Sequence, residues 1–244
     1  MKLHIVKNYD ELSHAAAEKV AHIVKSNPKV VLGLPTGSTP LGMYKELIDM
    51  NKRKEISFKE VITFNLDEYQ GLPREDVNSY YRFMWDNFFS HIDIVKENTN
   101  IPNGMADDVE KECTAYESRI EKAGGIDLMI LGIGNNGHIG FNEPAQFFGG
   151  VTHRVKLTEN TIEANSRFFG SIDRVPRYAI TMGIKSIMHC RSIMLLANGK
   201  AKAEAIKKAL EGPITPELPA SVLQLHRDLT VIVDKEAGSL LSCR

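Results

Sequence analysis

Residues Ile126–Pro144 read IDLMILGIGNNGHIGFNEP. The run Ile126–Ile133 is apolar and of strand length, and it gives way at once to glycine and polar side chains, so a buried strand ending in a loop is expected. In an open α/β sheet the carboxyl ends of the strands are where ligands bind. His138, Glu143 and the amides of Asn135, Asn136 and Asn142 therefore fall where chemistry is usually placed. The glycines between them let the loop fold tightly around a small molecule.

Outward from this strand, apolar runs alternate with helical periodicity. Strands are expected at Lys2–Val6, Lys29–Leu34, Val61–Leu66, Tyr178–Met182, Ser192–Ala197 and Leu229–Val233. Helices are expected at Tyr9–Lys25, Thr39–Asn51, Tyr80–His91, Val109–Ala123, Glu159–Phe169 and Ala201–Leu210. Such alternation implies parallel βαβ units covered on both faces, a three-layer α/β sandwich with a mostly parallel central sheet. No Ser/Gly linker, charge block or internal repeat divides residues 1–244, so one domain is expected. Gly212–Pro219 is a Pro-rich loop near the end.

The 244 residues are 43% hydrophobic and 25% charged with a net charge of −1, which sets aside disordered, fibrous and disulfide-framed classes. Without a basic balance no nucleic-acid partner is indicated, and an anionic ligand has to be held by local groups. Cys113, Cys190 and Cys243 form no ligand cluster and suit a reducing cytoplasm. No apolar run approaches the roughly 18 to 20 residues of a membrane helix, and the start lacks a signal-peptide pattern. The expectation is a soluble cytoplasmic protein with no membrane partner.

Gly33–Pro40, GLPTGSTP, lies between an expected strand and an expected helix. Glycine and hydroxyl residues at a helix N-terminus offer backbone N–H and side-chain donors to an anion, which the helix dipole favours. Thr36, Gly37, Ser38 and Thr39 are thus candidates for a phosphate cradle; alone, the segment reads equally well as a capped helix start. It has neither the Walker lysine nor a GxGxxG pattern, so no nucleoside triphosphate or dinucleotide is called for. A phosphate also needs cations, for which Arg167 and Lys202 are the candidates.

Phe64–Gln70, FNLDEYQ, carries Asp67 and Glu68 at a strand's carboxyl end, and Asp67 is the candidate general base. His138 can accept and return a proton near neutrality, with Glu143 to orient or tune it. A metal set of His138, Glu143 and His153 is the weaker reading, because the spacing matches no zinc pattern. No GxSxG elbow is present for a serine hydrolase.

Together GLPTGSTP, FNLDEYQGLP, SYYRFM, GIGNNGHIGFNEP, ANSRFF and GKAK, in order from near Val30 to near Gln224, closely resemble the glucosamine-6-phosphate deaminase (isomerase) family. The resemblance implies a Rossmann-like sandwich and conversion of glucosamine 6-phosphate and water to fructose 6-phosphate and ammonia, with no cofactor and no metal. It implies His138 as the proton acceptor that opens the sugar ring, Glu143 and Asn136 as its support, and Asp67 as the base at C2. Thr36, Gly37, Ser38, Thr39, Arg167 and Lys202 are implied as phosphate ligands. The rivals are a 6-phosphogluconolactonase of the broader superfamily and a silent sugar-phosphate sensor. The first would share the phosphate cradle and the histidine but needs no base at C2, so the DEY segment and the NEP carboxylate favour the deaminase; the second normally adds a helix-turn-helix domain, for which the residues before Lys29 leave no room.

Two departures stand out. Where the best-known family members read GNDGH, this chain has Asn136 in GNNGH, so His138 is expected to draw carboxylate support from Glu143 alone. Allosteric hexameric members carry basic residues after the NEP motif and a longer C-terminus; here the segment is AQFFGGVTHRVKL. Hyperbolic kinetics without N-acetylglucosamine 6-phosphate activation, and a monomer or small homo-oligomer, are expected. Gln146–Arg154 is a candidate lid.

Overall fold

Along the chain run β1 (Lys2–Val6), α1 (Tyr9–Ser26), β2 (Val31–Leu34), α2 (Leu41–Lys52), β3 (Ile62–Asn65), β4 (Asp67–Tyr69), α3 (Tyr80–Asn87), β5 (Thr99–Asn100), α4 (Val109–Lys122) and β6 (Leu128–Leu131). They continue with β7 (His153–Lys156), α5 (Glu159–Phe169), β8 (Tyr178–Thr181), α6 (Ile184–Met188), β9 (Ser192–Ala197), α7 (Ala203–Glu211) and β10 (Leu229–Asp234). The structure is a computed structural model describing residues 1–242; residues 243–244, and the side chains of Asn160, Ala164, Arg167 and Phe168, lie outside the described residues.

Seven strands form one sheet in the order β1-β10-β9-β6-β2-β3-β5, with parallel pairing throughout. From β2 the chain winds outward through β3 to β5, and from β6 it winds the opposite way through β9 to β10. The reversal falls between β2 and β6, paired through Leu32 with Leu128 and Gly33 with Met129. At such a switch point the loops leaving two neighbouring strands diverge to opposite faces and open a crevice.

Side chains alternate across the central strand as the period of a β-strand requires. Leu128 and Ile130 join a core with Leu12 and Val20 of α1 and Tyr44 and Leu47 of α2. Met129 and Leu131 join a second core with Tyr116 of α4, Ile187 of α6 and Ile206 and Ala209 of α7. The expected α/β fold with helices on both faces of a mostly parallel sheet is what the chain adopts. Among the described residues no helix is long and apolar enough to cross a membrane.

The sequence reading needs correction at the second sheet. β8 does not extend the parallel sheet; it lies at the centre of an antiparallel sheet ordered β4-β8-β7. Its partners were hidden because β4 is only three residues long and β7, HRVK, is largely polar. Tyr69, Phe141, Leu157, Phe169 and Ala179 pack this sheet into a third, smaller core. Expected Tyr80–His91 also breaks in two: α3 ends at Asn87, and Phe89–His91 is a short 3-10 turn. Phe88 between them leaves the helical region at φ −146° and stacks on Tyr44 with ring centroids 4.7 Å apart.

Candidate active site

A cavity of about 650 Å³ opens over the carboxyl ends of the four central strands β9, β6, β2 and β3. Each of those strands delivers one segment to it: Thr36–Thr39 after β2, Asp67 after β3, Gly132–His138 after β6 and Lys202 after β9. The pieces are far apart in sequence and meet because their strands are neighbours in the sheet.

His138 ends a tight turn in which the Gly137 N–H donates to the Gly134 carbonyl at 3.0 Å and the Gly134 N–H to the His138 carbonyl at 2.9 Å. A Cβ on Gly134 would collide with the His138 ring, so only glycine lets the imidazole fold back over its own loop. His138 Nδ1 stands 2.7 Å from Asn136 Oδ1 and 3.4 Å from Glu143 Oε1. Both neighbours are acceptors, so Nδ1 carries a proton and Nε2 is the ring nitrogen left to exchange one.

Glu143 is held from three directions. Asn136 Nδ2 donates to its Oε2 at 2.7 Å, Thr161 Oγ1 donates to its Oε1 at 2.5 Å, and His138 lies beside it. Burial pushes its carboxyl up, but the hydrogen bond and charge of His138, with the bonds from Thr161 and Asn136, outweigh this and leave it below the usual Glu value. Among the described residues it is the one carboxylate paired with the histidine.

Asp67 opens β4 rather than ending β3, one residue past Leu66, and its side chain is turned into the cavity at 7% exposure. Among the described residues its carboxylate has no hydrogen-bond partner. Burial, with the neighbouring Glu68 charge, raises its pKa to about 8. The loop approaches it at Gly140, whose φ is +58° and where a Cβ would stand 3.3 Å from Asp67 Oδ2.

Glu68 points the other way, as the alternation of a strand demands. It accepts the N–H groups of Tyr69 at 2.9 Å, Tyr80 at 2.9 Å and Tyr81 at 2.8 Å, and so ties β4 to the start of α3. Burial raises its pKa to about 7, against the pull of those three bonds.

The segment Thr36–Thr39 lines the cavity together with Lys202. The helix after it begins at Leu41, not Thr39; Pro40 occupies the N-cap, and no side chain caps the end. Proline suits this position because it carries no N–H to satisfy. The capped-helix reading of GLPTGSTP is thereby set aside. Thr39 Oγ1 donates to Asn198 Oδ1 at 2.9 Å, which links the segment to the end of β9. Lys202 is half-buried at the N-cap of α7, makes no ion pair among the described residues, and has its pKa lowered by burial. An unpaired ammonium at the positive end of a helix is unfavourable unless an anion joins it. Arg167 lies in α5, and its side chain is outside the described residues.

Residues 7–232 match the family described as glucosamine-6-phosphate isomerases/6-phosphogluconolactonase. The chain belongs to this family. A glucosamine-6-phosphate deaminase of Thermoanaerobacter sp. (strain X514) is 61% identical over 241 residues, 99% of this chain and 95% of that one. One of Clostridium botulinum (strain Okra / Type B1) is 57% identical over the full length of both chains. A solved structure described as a monomeric glucosamine-6-phosphate deaminase superposes with a TM-score of 0.95 at 50% identity, covering 98% of this chain and 100% of that one. A 6-phosphogluconolactonase from Trypanosoma cruzi reaches a TM-score of 0.79 at 20% identity, over 99% and 97% of the two chains, and shares the fold.

Within this glucosamine-6-phosphate isomerase/6-phosphogluconolactonase fold, one cavity lining brings together Thr36, Gly37, Ser38, Thr39, Asp67, Asn136, His138 and Lys202, with Glu143 directly behind His138. His153 stays apart, in β7 with Nδ1 2.9 Å from the Val151 carbonyl. The candidate lid Gln146–Arg154 does not roof the cavity. Its end is pinned: Glu117 Oε1 accepts the Thr152 N–H at 2.8 Å, and the Lys185 N–H donates to Gly150 at 2.9 Å. Residue-by-residue reasoning missed Tyr80, Phe141, Thr161 and Asn165, which also line the cavity. Nothing in their local pattern separates them from ordinary helix and loop positions. Only the SYYRFM motif around Tyr80 carried a signal.

Proposed function

We propose that the chain converts glucosamine 6-phosphate and water to fructose 6-phosphate and ammonia, with the sugar phosphate seated between the Thr36–Thr39 segment and Lys202. The observation that carries this reading is Asp67, a buried carboxylate that faces the cavity and has no hydrogen-bond partner among the described residues. A carboxylate so desolvated gains from a cation beside it. The 2-ammonium of an amino sugar supplies one next to the carbon whose proton must be removed.

His138 Nε2 takes the anomeric hydroxyl proton and hands it to the ring oxygen as the C1–O5 bond breaks, giving the open aldehyde. Asn136 and Glu143 hold the ring in the tautomer that leaves Nε2 free and stabilise the imidazolium formed. Asp67 removes the C2 proton while the aldehyde oxygen takes up a proton given up by the 2-ammonium, which gives the enolamine; Asp67 then returns its proton to C1, leaving an iminium at C2. Water adds there and ammonia departs, which yields the ketose. A positioned carboxylate contributes about 10² to 10⁴-fold to such a proton transfer.

The phosphate arm draws on Thr36, Gly37, Ser38, Thr39 and Lys202, with Arg167 of α5 as a second cation. We further take the chain to act as a monomer, by its 50% identity to a structure described as monomeric. Light scattering on the eluted protein tests that; a stable hexamer refutes it.

The decisive experiment incubates the metal-stripped protein with glucosamine 6-phosphate and follows ammonia and fructose 6-phosphate together, with Asp67→Asn beside it. Equimolar release of both, lost in the variant, is expected. Hydrolysis of 6-phosphogluconolactone without ammonia release overturns the reading.

A further inference from the structure

The wall of α3 is shared by a second cleft of about 240 Å³, none of whose lining residues belongs to the catalytic cavity. Three cations meet in it: Arg74 from the loop before α3, Lys96 from the turn before β5 and Arg119 from α4. Each lies against an aromatic ring. The Arg74 guanidinium carbon is 5.0 Å from the centre of Tyr81, Lys96 Nζ is 5.9 Å from Trp85, and the Arg119 guanidinium carbon is 5.1 Å from Tyr116. A ring attracts a cation through its quadrupole but supplies no net negative charge. The cations are therefore placed without being neutralised.

The single carboxylate in the lining, Glu112, is already engaged. Its Oε1 is 2.8 Å from Arg119 Nη2 and accepts the Asn103 N–H at 3.1 Å. Among the described residues neither Arg74 nor Lys96 makes an ion pair, although Glu68 feels the Arg74 charge. Asn103 uses its Oδ1 for the Met105 N–H at 3.1 Å and keeps its amide hydrogens unpaired among the described residues. The cleft thus presents two cations that make no ion pair among the described residues, a third shared with Glu112, and a neutral donor around a space that admits a small anion.

We propose that this cleft binds a small phosphate-bearing anion through Arg74, Lys96 and Arg119. Guanidinium forks match phosphate oxygens geometrically, and a nearby ammonium adds a point charge. The site is separate from the sugar-phosphate seat, which relies on Lys202.

Trp85 is the chain's one tryptophan, and Lys96 sits over it, so intrinsic fluorescence reports on this cleft. Inorganic pyrophosphate, and separately glycerol 3-phosphate, are titrated at fixed ionic strength into the wild-type chain, Lys202→Met, and the double variant Arg74→Gln with Lys96→Gln. Both substituted cleft residues are exposed, so the fold is kept, as circular dichroism verifies. The expected result is a saturable change with one midpoint in the wild type and Lys202→Met, shifted about tenfold or more in the double variant, as for one lost charge-assisted hydrogen bond. Stronger response to pyrophosphate assigns an inorganic ligand, and stronger response to the glycerol ester assigns an organic one. No saturable change, an unshifted midpoint in the double variant, or loss of the response in Lys202→Met overturns the proposal.

Discussion

Asn136 Nδ2 donates to Glu143 Oε2 at 2.7 Å while the same amide turns Oδ1 to His138 Nδ1, also at 2.7 Å. An ionised carboxylate can only accept, so the amide's NH₂ must face Glu143 and its oxygen must face the ring. A neutral group thereby passes orientation from the carboxylate to the histidine. An aspartate in this position would set two carboxylates at hydrogen-bond distance.

Replacing Asn136 with Asp adds a negative charge beside His138, which favours the imidazolium and raises the histidine's pKa. Loss of the His138 base form then adds to the Asp67 limb on the acid side, so kcat/KM should fall more steeply below that limb than in the wild type. The pH profiles of the two proteins, compared on the same substrate, decide this. Superimposable limbs refute the relay.

Asp67 has its pKa raised to about 8, so in the free protein it is protonated below that pH and becomes a base above it. The value of kcat/KM should therefore rise with pH towards about 8. With the substrate ammonium bound the carboxylate ionises more easily, and the corresponding limb of kcat should lie at lower pH. Limbs in the reverse order contradict the assignment.

The same burial makes Asp67 a liability to the fold. A raised carboxyl pKa means that the folded chain holds a proton which the unfolded chain has released, so stability is fully present below pH ~4 and is lost as pH rises through about 8. Asp67→Asn should melt higher than the wild type, by a margin that widens from pH 5 to pH 8.5 and reaches about 3 °C or more. It should also lower kcat about 10² to 10⁴-fold. Calorimetry across pH reads the first effect and steady-state kinetics the second.

Lys202→Met removes the half-buried ammonium while keeping the side-chain length. Loss of a charge-assisted bond to phosphate should raise KM about 10 to 100-fold, with a much smaller change in kcat. An unchanged KM would separate Lys202 from the phosphate.

Glu68→Ala releases the three N–H groups of Tyr69, Tyr80 and Tyr81. At about 1 kcal/mol for each hydrogen bond, the melting temperature should fall by about 6 to 12 °C. Glu68→Gln, which can keep an acceptor oxygen, should recover much of that loss. Equal melting temperatures for the two variants would mean that the bonds do not hold α3.

The sequence by itself determined the layer architecture and the identity of the chemical groups. Runs such as Ile126–Ile133 can be buried on both faces only between helices, and that constraint is local enough to read from a single segment. Motifs on the loops after those runs named Asp67, His138, Glu143 and the Thr36–Thr39 segment for the same reason. What only the tertiary structure decided was adjacency. Strand order set β2 beside β6, and so put the Thr36–Thr39 segment across the cavity from the histidine, although Gly33 and Met129 are distant along the chain. The antiparallel β4-β8-β7 sheet was likewise invisible, because β4 is only three residues long and β7 is largely polar, and both are stable only when paired with β8. It is that pairing which turns Asp67 into the cavity and Glu68 away from it. The alternation of β4 in the folded chain, not residue type, then leaves one carboxylate facing the cavity with its pKa raised to about 8 and binds its neighbour to the three N–H groups that anchor α3.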